Sequence, residues 1–153
     1  MFSFFTPGKK PNSAETYVFR TDNSDLQEIY NAAEELGITT PVIPMWIPDG
    51  FKLSELKSFD FTKDTALSAE LEQNQNFIYL SIVSHNGEAN FQHEKDLQNV
   101  DIFEIQGISH YIVSNNDEYI VIWWTNGVEC SIAANCQEEE IYKILYSIYT
   151  PED

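Results

Sequence analysis

Apolar residues recur along the chain with two different periods, and the helical period marks its two ends. Apolar positions between residues 26 and 36 lie three or four apart, as on the buried side of an α-helix. The Ser24-x-x-Gln27 capping box precedes them and Gly37 follows them, so a helix is predicted here. The same spacing over residues 137–149, with Asn135 and Glu138 as the predicted cap, indicates a second helix.

Between the helices the apolar positions alternate with polar ones, which is typical of half-buried strands. The predicted strands are Lys52–Phe61, Thr65–Glu72, Asn76–Val83, Ile102–Ile105, Ile108–Val113, Tyr119–Thr125 and Val128–Ala133, with Glu15–Arg20 as a further candidate. Asn126-Gly127 between two of these runs indicates a tight hairpin, because both turn residues need positive φ.

Consecutive strands with short turns favour an antiparallel meander. The predicted fold is α+β: a meander sheet of about six to seven strands, with an N-terminal and a C-terminal helix packed on one face. A single domain over residues 15–150 is expected to follow a flexible arm at residues 1–14.

Alternation along the strands assigns side chains to two faces of this sheet. Ile78, Leu80 and Ile82 share the side expected to carry the helices. The opposite side, called the second face below, carries Tyr79, Ile122 and Trp124. An exposed aromatic patch of this kind indicates a binding site.

A Pro-rich apolar segment at residues 38–50 contains Trp46 and complicates that interpretation. Three prolines exclude a regular helix and a central strand, so the segment is predicted to be a connector laid across a core face. It either covers the second face or leaves it open. Trp46 is therefore included with Tyr79, Ile122 and Trp124 as a candidate binding residue.

Charge narrows the class of partner. The 153 residues contain 8 basic and 25 acidic side chains, for a net charge of −17. Nucleic acids would be repelled, and anionic membrane surfaces are disfavoured for the same reason. The charge indicates solubility through self-repulsion or, alternatively, a basic partner or bound cations. No apolar run is long enough to span a bilayer, so membrane attachment is expected only through an anchor not present in this chain.

Residues with catalytic or metal-binding chemistry are few. Cys130 and Cys136 show no zinc spacing and are interpreted as idle thiols, a disulfide or, least favoured, a nucleophile. The segment from His93 to Asp96 offers ligand types without an established spacing, and is better interpreted as a polar loop. No phosphate loop or hydrolase motif is present. We therefore predict no catalytic residues, no metal site and no cofactor.

Four short motifs together resemble a known family. They are the Trp46–Phe51 entry (WIPDGF), the Ile105-Gln106-Gly107 turn, the Trp123–Gly127 hairpin (WWTNG) and the Glu139–Ile144 helix (EEIYKI). The combination resembles domain of unknown function 4367. The resemblance implies an extracytoplasmic C-terminal domain of single-pass membrane proteins in Gram-positive bacteria, some of them beside anti-sigma-factor-like segments. It implies no catalytic residues.

The expected function is therefore a non-enzymatic extracytoplasmic domain that senses or binds another protein. A small-ligand-binding domain that uses the second face is the alternative. The expected partner is an unknown protein or small ligand, not a nucleic acid. A cytoplasmic location remains the alternative to the extracytoplasmic one.

Overall fold

Two helices and seven strands form the fold over the residues that the structure, a computed structural model, describes, which are 17–85 and 100–150. The elements are α1 (Ser24–Glu35), β1 (Lys52–Asp60), β2 (Asp64–Gln73), β3 (Asn76–His85), β4 (Val100–Ile105), β5 (Ile108–Asn115), β6 (Glu118–Thr125), β7 (Val128–Ala134) and α2 (Glu138–Tyr149). The predicted α+β class is confirmed. The predicted arm at 1–14 and the loop containing His93 lie outside the described residues.

The strands form one antiparallel sheet in the order β1-β2-β3-β7-β6-β5-β4. It consists of two meanders, β1 to β3 and β4 to β7, joined where β3 pairs with β7. The predicted meander therefore holds within each half and is interrupted once, because β3 has β7 rather than β4 as its neighbour.

Two-residue turns fix the register of the hairpins. Asn126 and Gly127 have φ of 49° and 78°, and Gln106 and Gly107 have 52° and 80°. Both residues of each turn are left-handed, as a tight hairpin requires, so the Asn126-Gly127 prediction is confirmed. Because these turns admit no slippage, each strand keeps a fixed set of side chains on each face.

The core lies between one face of the sheet and the helices. Ile78, Leu80 and Ile82 are exposed by no more than 3% and belong to one buried cluster with residues of both helices. The helical members include Leu26, Ile29, Ala33, Ile141, Ile144, Leu145 and Ile148. The aliphatic face therefore carries both helices, as expected.

Helix α1 begins one residue earlier than its capping box predicts. The N-cap is Asn23, whose Oδ1 accepts hydrogen bonds from the backbone N–H groups of Asp25 (2.9 Å) and Leu26 (3.0 Å). Ser24 is therefore the first helical residue. Asparagine caps as well as serine does, so the sequence offers two adjacent candidates.

Helix α2 is capped by Gln137 rather than Asn135. The N–H of Gln137 donates to Glu140 Oε1 (3.1 Å). The Asn135 side chain instead accepts from the N–H of Phe77 (2.9 Å) at the start of β3. The prediction for Asn135 was wrong because its side chain connects the end of β7 to the start of β3, and these two strands lie far apart in sequence.

The candidate strand Glu15–Arg20 does not form over its described part, residues 17–20. Phe19 instead stacks on Tyr30 of α1, with ring centroids 4.2 Å apart. The N–H of Arg20 points to Met45 Sδ at 3.3 Å. This segment therefore packs on α1 and the connector rather than extending the sheet.

Candidate functional site: the second face of the sheet

The connector that contains Trp46 packs on α2 and does not cover the second face. Backbone N–H groups of Met45 and Trp46 donate to the Oγ of Ser147, at 3.1 and 3.2 Å. Lys143 Nζ lies 4.2 Å from the centroid of the Trp46 ring. Both Ser147 and Lys143 belong to α2. Trp46 is therefore separated by the sheet from Tyr79, Ile122 and Trp124.

The other three candidate residues lie together on the second face. Tyr79 pairs with Ala133, whereas Ile122 and Trp124 of β6 pair with Ser131 and Glu129 of β7. Tyr79 is 40% exposed and the β6 side chains are half-buried. No element of the described ranges packs over this face.

Cross-strand pairing arranges the middle of the second face in three rows. The first row contains Glu70, Tyr79, Ala133 and Ile120; the second contains Ser68, Ser81, Ser131 and Ile122; the third contains Ala66, Val83, Glu129 and Trp124. The serines of the second row have small side chains. The surface is therefore lower there than along the flanking rows.

Further apolar side chains extend the patch beyond the residues that the sequence singled out. Ile120 is 39% and Ile102 64% exposed, and Tyr111 contacts Trp124 edge-on with centroids 5.7 Å apart. The sequence signal for these residues is alternation along β4, β5 and β6, which places every second side chain on the same face. Without the pairing of β3 with β7, however, nothing in the sequence placed these residues on the same surface as Tyr79.

Glu70 lies opposite Tyr79 in a crowd of carboxylates. Loss of hydration together with the charges of Glu72 and Glu55 raises the pKa of Glu70. The same crowding makes this part of the face strongly negative. A positively charged group placed here would relieve the repulsion.

His85 connects two carboxylates at one end of the face. Its Nδ1 lies 3.3 Å from Asp64 Oδ1 on β2, and its Nε2 lies 3.6 Å from Glu129 Oε1 on β7. The imidazole thus bridges three neighbouring strands. Because its two nitrogens face different carboxylates, the three side chains do not converge on one point as a shared ligand set would.

Two cavities of the described residues lie away from this face. A cavity of about 550 Å³ lies between the connector and the start of α2, and one of about 330 Å³ lies beside the start of α1. Neither is lined by Tyr79, Ile122 or Trp124. Within residues 17–85 and 100–150, no three His, Cys, Asp or Glu side chains are placed to hold a metal ion.

The described residues that most resemble catalytic groups are buried on the helix side. His110 Nδ1 lies 3.0 Å from the carbonyl of Ile108 and 3.2 Å from that of Phe103, so Nδ1 carries the proton and donates. Nε2 therefore accepts from the hydroxyl of Tyr149, at 2.8 Å. Burial lowers the pKa of His110 and raises that of Tyr149, so both are held neutral.

The two cysteines belong to the same buried layer. Burial raises the pKa of Cys130 and raises that of Cys136 to about 11, so neither thiol is activated. Both are free, and five residues lie between them, with Cys130 in β7 and Cys136 beyond its end.

Comparison with known families places these elements in context. The family described as a domain of unknown function, DUF4367, matches residues 41–148. The chain belongs to this family. The DUF4367 match runs from the connector through the whole sheet to the penultimate residue of α2. The three motif glycines, Gly50, Gly107 and Gly127, have φ of 96°, 80° and 78°. The motifs therefore specify turns of the DUF4367 fold rather than reactive groups.

Other comparisons add little to the DUF4367 assignment. A solved structure described as a GTP-binding regulator from Thermotoga maritima aligns with a TM-score of 0.43 and 17% identity, covering 67% of this chain and 79% of that one. None of the curated proteins matches significantly. No helix in the described part of the chain is long and apolar enough to cross a membrane.

Proposed function

We propose that this DUF4367 domain is a non-enzymatic interaction domain whose second face binds another protein. The observation that carries the proposal is the exposure of Tyr79, Ile120 and Ile102 on a face over which no described element packs. Large contiguous apolar patches on soluble domains mark interaction sites. A seven-stranded sheet backed by a packed core presents such a patch with little reorganisation on binding.

A protein partner is favoured over a small ligand by the form of the face. Small ligands bind in concave sites that bury most of their surface. The two cavities described above lie near the helix N-termini and exclude Tyr79, Ile122 and Trp124. A broad face with exposed aromatic and aliphatic groups suits the core of a protein interface instead.

The absence of activated groups among His110, Tyr149 and Cys130 supports a non-enzymatic role. In each of these three the neutral form is stabilised by burial. A general base or nucleophile needs the opposite arrangement, in which the reactive form is accessible at the working pH.

Photo-cross-linking in the producing cells tests the proposed interface. A benzophenone amino acid replaces Ile122 on the second face, and in a matched variant it replaces the exposed Glu34 of α1. We expect a discrete cross-linked protein from position 122 and none, or a different set, from position 34. Identical products from both positions, or products from position 34 alone, would contradict the proposal.

An extracytoplasmic location is a separate part of the proposal. It is supported by the resemblance of the motifs to domains displayed on the outer side of Gram-positive membranes. We expect an epitope tag at the C-terminus of the full-length gene product to be cleaved by protease added to intact cells, while a cytoplasmic control stays protected. Protection of the tag until lysis would place the domain inside the cell.

A further inference from the structure

Two aromatic residues at the centre of the second face, the exposed Tyr79 and the half-buried Trp124, each have a carboxylate as direct neighbour. Glu70 lies opposite Tyr79, and Glu129 lies opposite Trp124. Directly paired residues of antiparallel strands have Cβ atoms roughly 5 Å apart on the same face. Each pair therefore places an aromatic ring and a negative charge where one cation can contact both.

The described strands that form the face contribute almost no positive charge to neutralise these carboxylates. Strands β2 to β7 contain no lysine or arginine. The lysines of the edge strand β1 are Lys52 and Lys57, and Lys57 Nζ already lies 3.3 Å from Glu55 Oε2. Glu129 faces His85 with one oxygen while its side chain remains 38% exposed. The interior of the face is thus negative and aromatic at once.

We infer that the partner bound by the second face is a basic, extended segment of a protein, whose lysine or arginine side chains occupy the Glu70–Tyr79 and Glu129–Trp124 pairs. This inference rests on the proposed function and specifies the partner's chemistry. A cation over an aromatic ring is attracted by the negative face of the ring. A carboxylate beside the ring adds a charge-assisted hydrogen bond.

The spacing of the two pairs suits an extended chain. Along the strands they lie two rows, or four residues, apart, which corresponds to roughly 13 Å, and across the sheet they are offset by two strands, or roughly 10 Å. Residues four apart in an extended segment point to the same side and span roughly 13 Å, so a segment that crosses the strands obliquely reaches both pairs through its long arginine side chains. Between the pairs lie Ser81 and Ser131, whose small side chains let a partner backbone approach the sheet.

Titration of the labelled domain with synthetic peptides tests this inference. The probe is an eight-residue peptide of alternating arginine and valine, and its neutral counterpart carries citrulline in place of arginine. We expect the arginine peptide to shift amide signals of β3, β6 and β7 together with the indole signal of Trp124. The citrulline peptide is expected to bind at least about tenfold more weakly, because the ion pairs are absent.

Matched variants separate recognition from general attraction to an acidic protein. E70Q/E129Q removes two charges from the second face, whereas E34Q/E35Q removes two exposed charges from α1. We expect about tenfold weaker binding of the arginine peptide to E70Q/E129Q, and less than about a twofold change for E34Q/E35Q. Thermal unfolding of both variants verifies that they fold.

The outcomes distinguish this inference from the proposed function. Equal affinity of the two double variants, equal affinity of the two peptides, or no signal change on the second face would each overturn the basic-partner inference. The cross-linking result from position 122 does not depend on any of these three measurements, because it tests the interface and not the charge of the partner. A cross-linked protein from position 122, together with equal affinity of the arginine and citrulline peptides, would support the proposed interface. It would reject the preference of that interface for a basic partner.

Discussion

Among single residues, His110 combines full burial with an ionisable ring. Its two ring nitrogens are occupied by backbone carbonyls and by the Tyr149 hydroxyl, and burial lowers its pKa in the folded state. The unfolded chain therefore binds a proton more readily than the folded one when the pH falls below about 6.5. This contribution to stability is complete above that pH and is lost as the pH decreases further.

The pH dependence of unfolding tests this role. We expect the free energy of unfolding of the wild-type chain to decrease from pH 7 to pH 5 more steeply than that of His110→Gln, measured by urea denaturation at each pH. The carboxylates are the same in both proteins, so their contribution to the slope cancels. Parallel curves would show that His110 does not carry a shifted pKa.

Gly50 holds the turn that leads from the connector into β1. Its φ is 96°, and a Cβ at this position would collide with the side chain of Gln73. Gly107 has φ of 80° but no atom within 4 Å of the corresponding Cβ position. We expect Gly107→Ala to cost about 1 kcal/mol from backbone strain alone, and Gly50→Ala to cost slightly more, because the flexible end of the Gln73 side chain must also move.

Chemical denaturation of the two glycine variants measures the difference directly. The comparison is informative because the backbone strain is common to both turns. Equal losses would mean that the Gln73 side chain moves aside without cost. A smaller loss at Gly50 would contradict the close packing of this turn.

Between elements, the contact of α2 with the connector includes a buried hydroxyl group that accepts from two connector N–H groups. Ser147 is buried, accepts from the N–H groups of Met45 and Trp46, and lies 2.7 Å from the carbonyl of Ile144, to which it donates. Ser147→Ala would leave the Trp46 N–H without this acceptor. We expect a loss of about 1–3 kcal/mol in the free energy of unfolding.

Ser81→Ala is the matched control for this prediction. Ser81 is a strand residue on the second face and is only half-buried. We expect its replacement to change stability by less than about 0.5 kcal/mol. If the two serine variants unfolded alike, the hydroxyl of Ser147 would not be what attaches the connector to α2.

The sequence predicts elements well where the signal is local. Asn126-Gly127 specifies its hairpin because both residues adopt positive φ, and alternation along β3 separates Leu80 from Tyr79. The pairing of β3 with β7 was not predictable, because no turn connects those strands. For the same reason the sequence left open which face Trp46 covers, since the answer depends on a hydrogen bond to Ser147 of α2.

At the scale of the whole molecule, we expect the two faces of the sheet to separate stability from the proposed binding. Leu80 is 3% exposed and its neighbour Tyr79 is 40% exposed. We expect Leu80→Ala to lower the free energy of unfolding by about 2–5 kcal/mol. Tyr79→Ala should lower it by less than about 1 kcal/mol while weakening attachment of the arginine–valine peptide.

Denaturation curves and peptide titration of the same two variants test this separation. The variants differ by one position in the chain and by the side of the sheet that they alter. A large loss of stability in Tyr79→Ala would show that the second face contributes to the core. The domain would then have no surface dedicated to a partner.

The junction of β3 with β7 also has a consequence for synthesis of the protein on the ribosome. β3 emerges early, yet the strand that pairs with Ile78, Leu80 and Ile82 is the last one to be made. Until β7 has left the exit tunnel, the nascent chain displays an unsatisfied row of backbone groups along β3, where foreign strands can attach. Completion of the sheet must therefore follow translation through β7, and a chain released before Val128 would be a substrate for chaperones rather than a smaller folded domain.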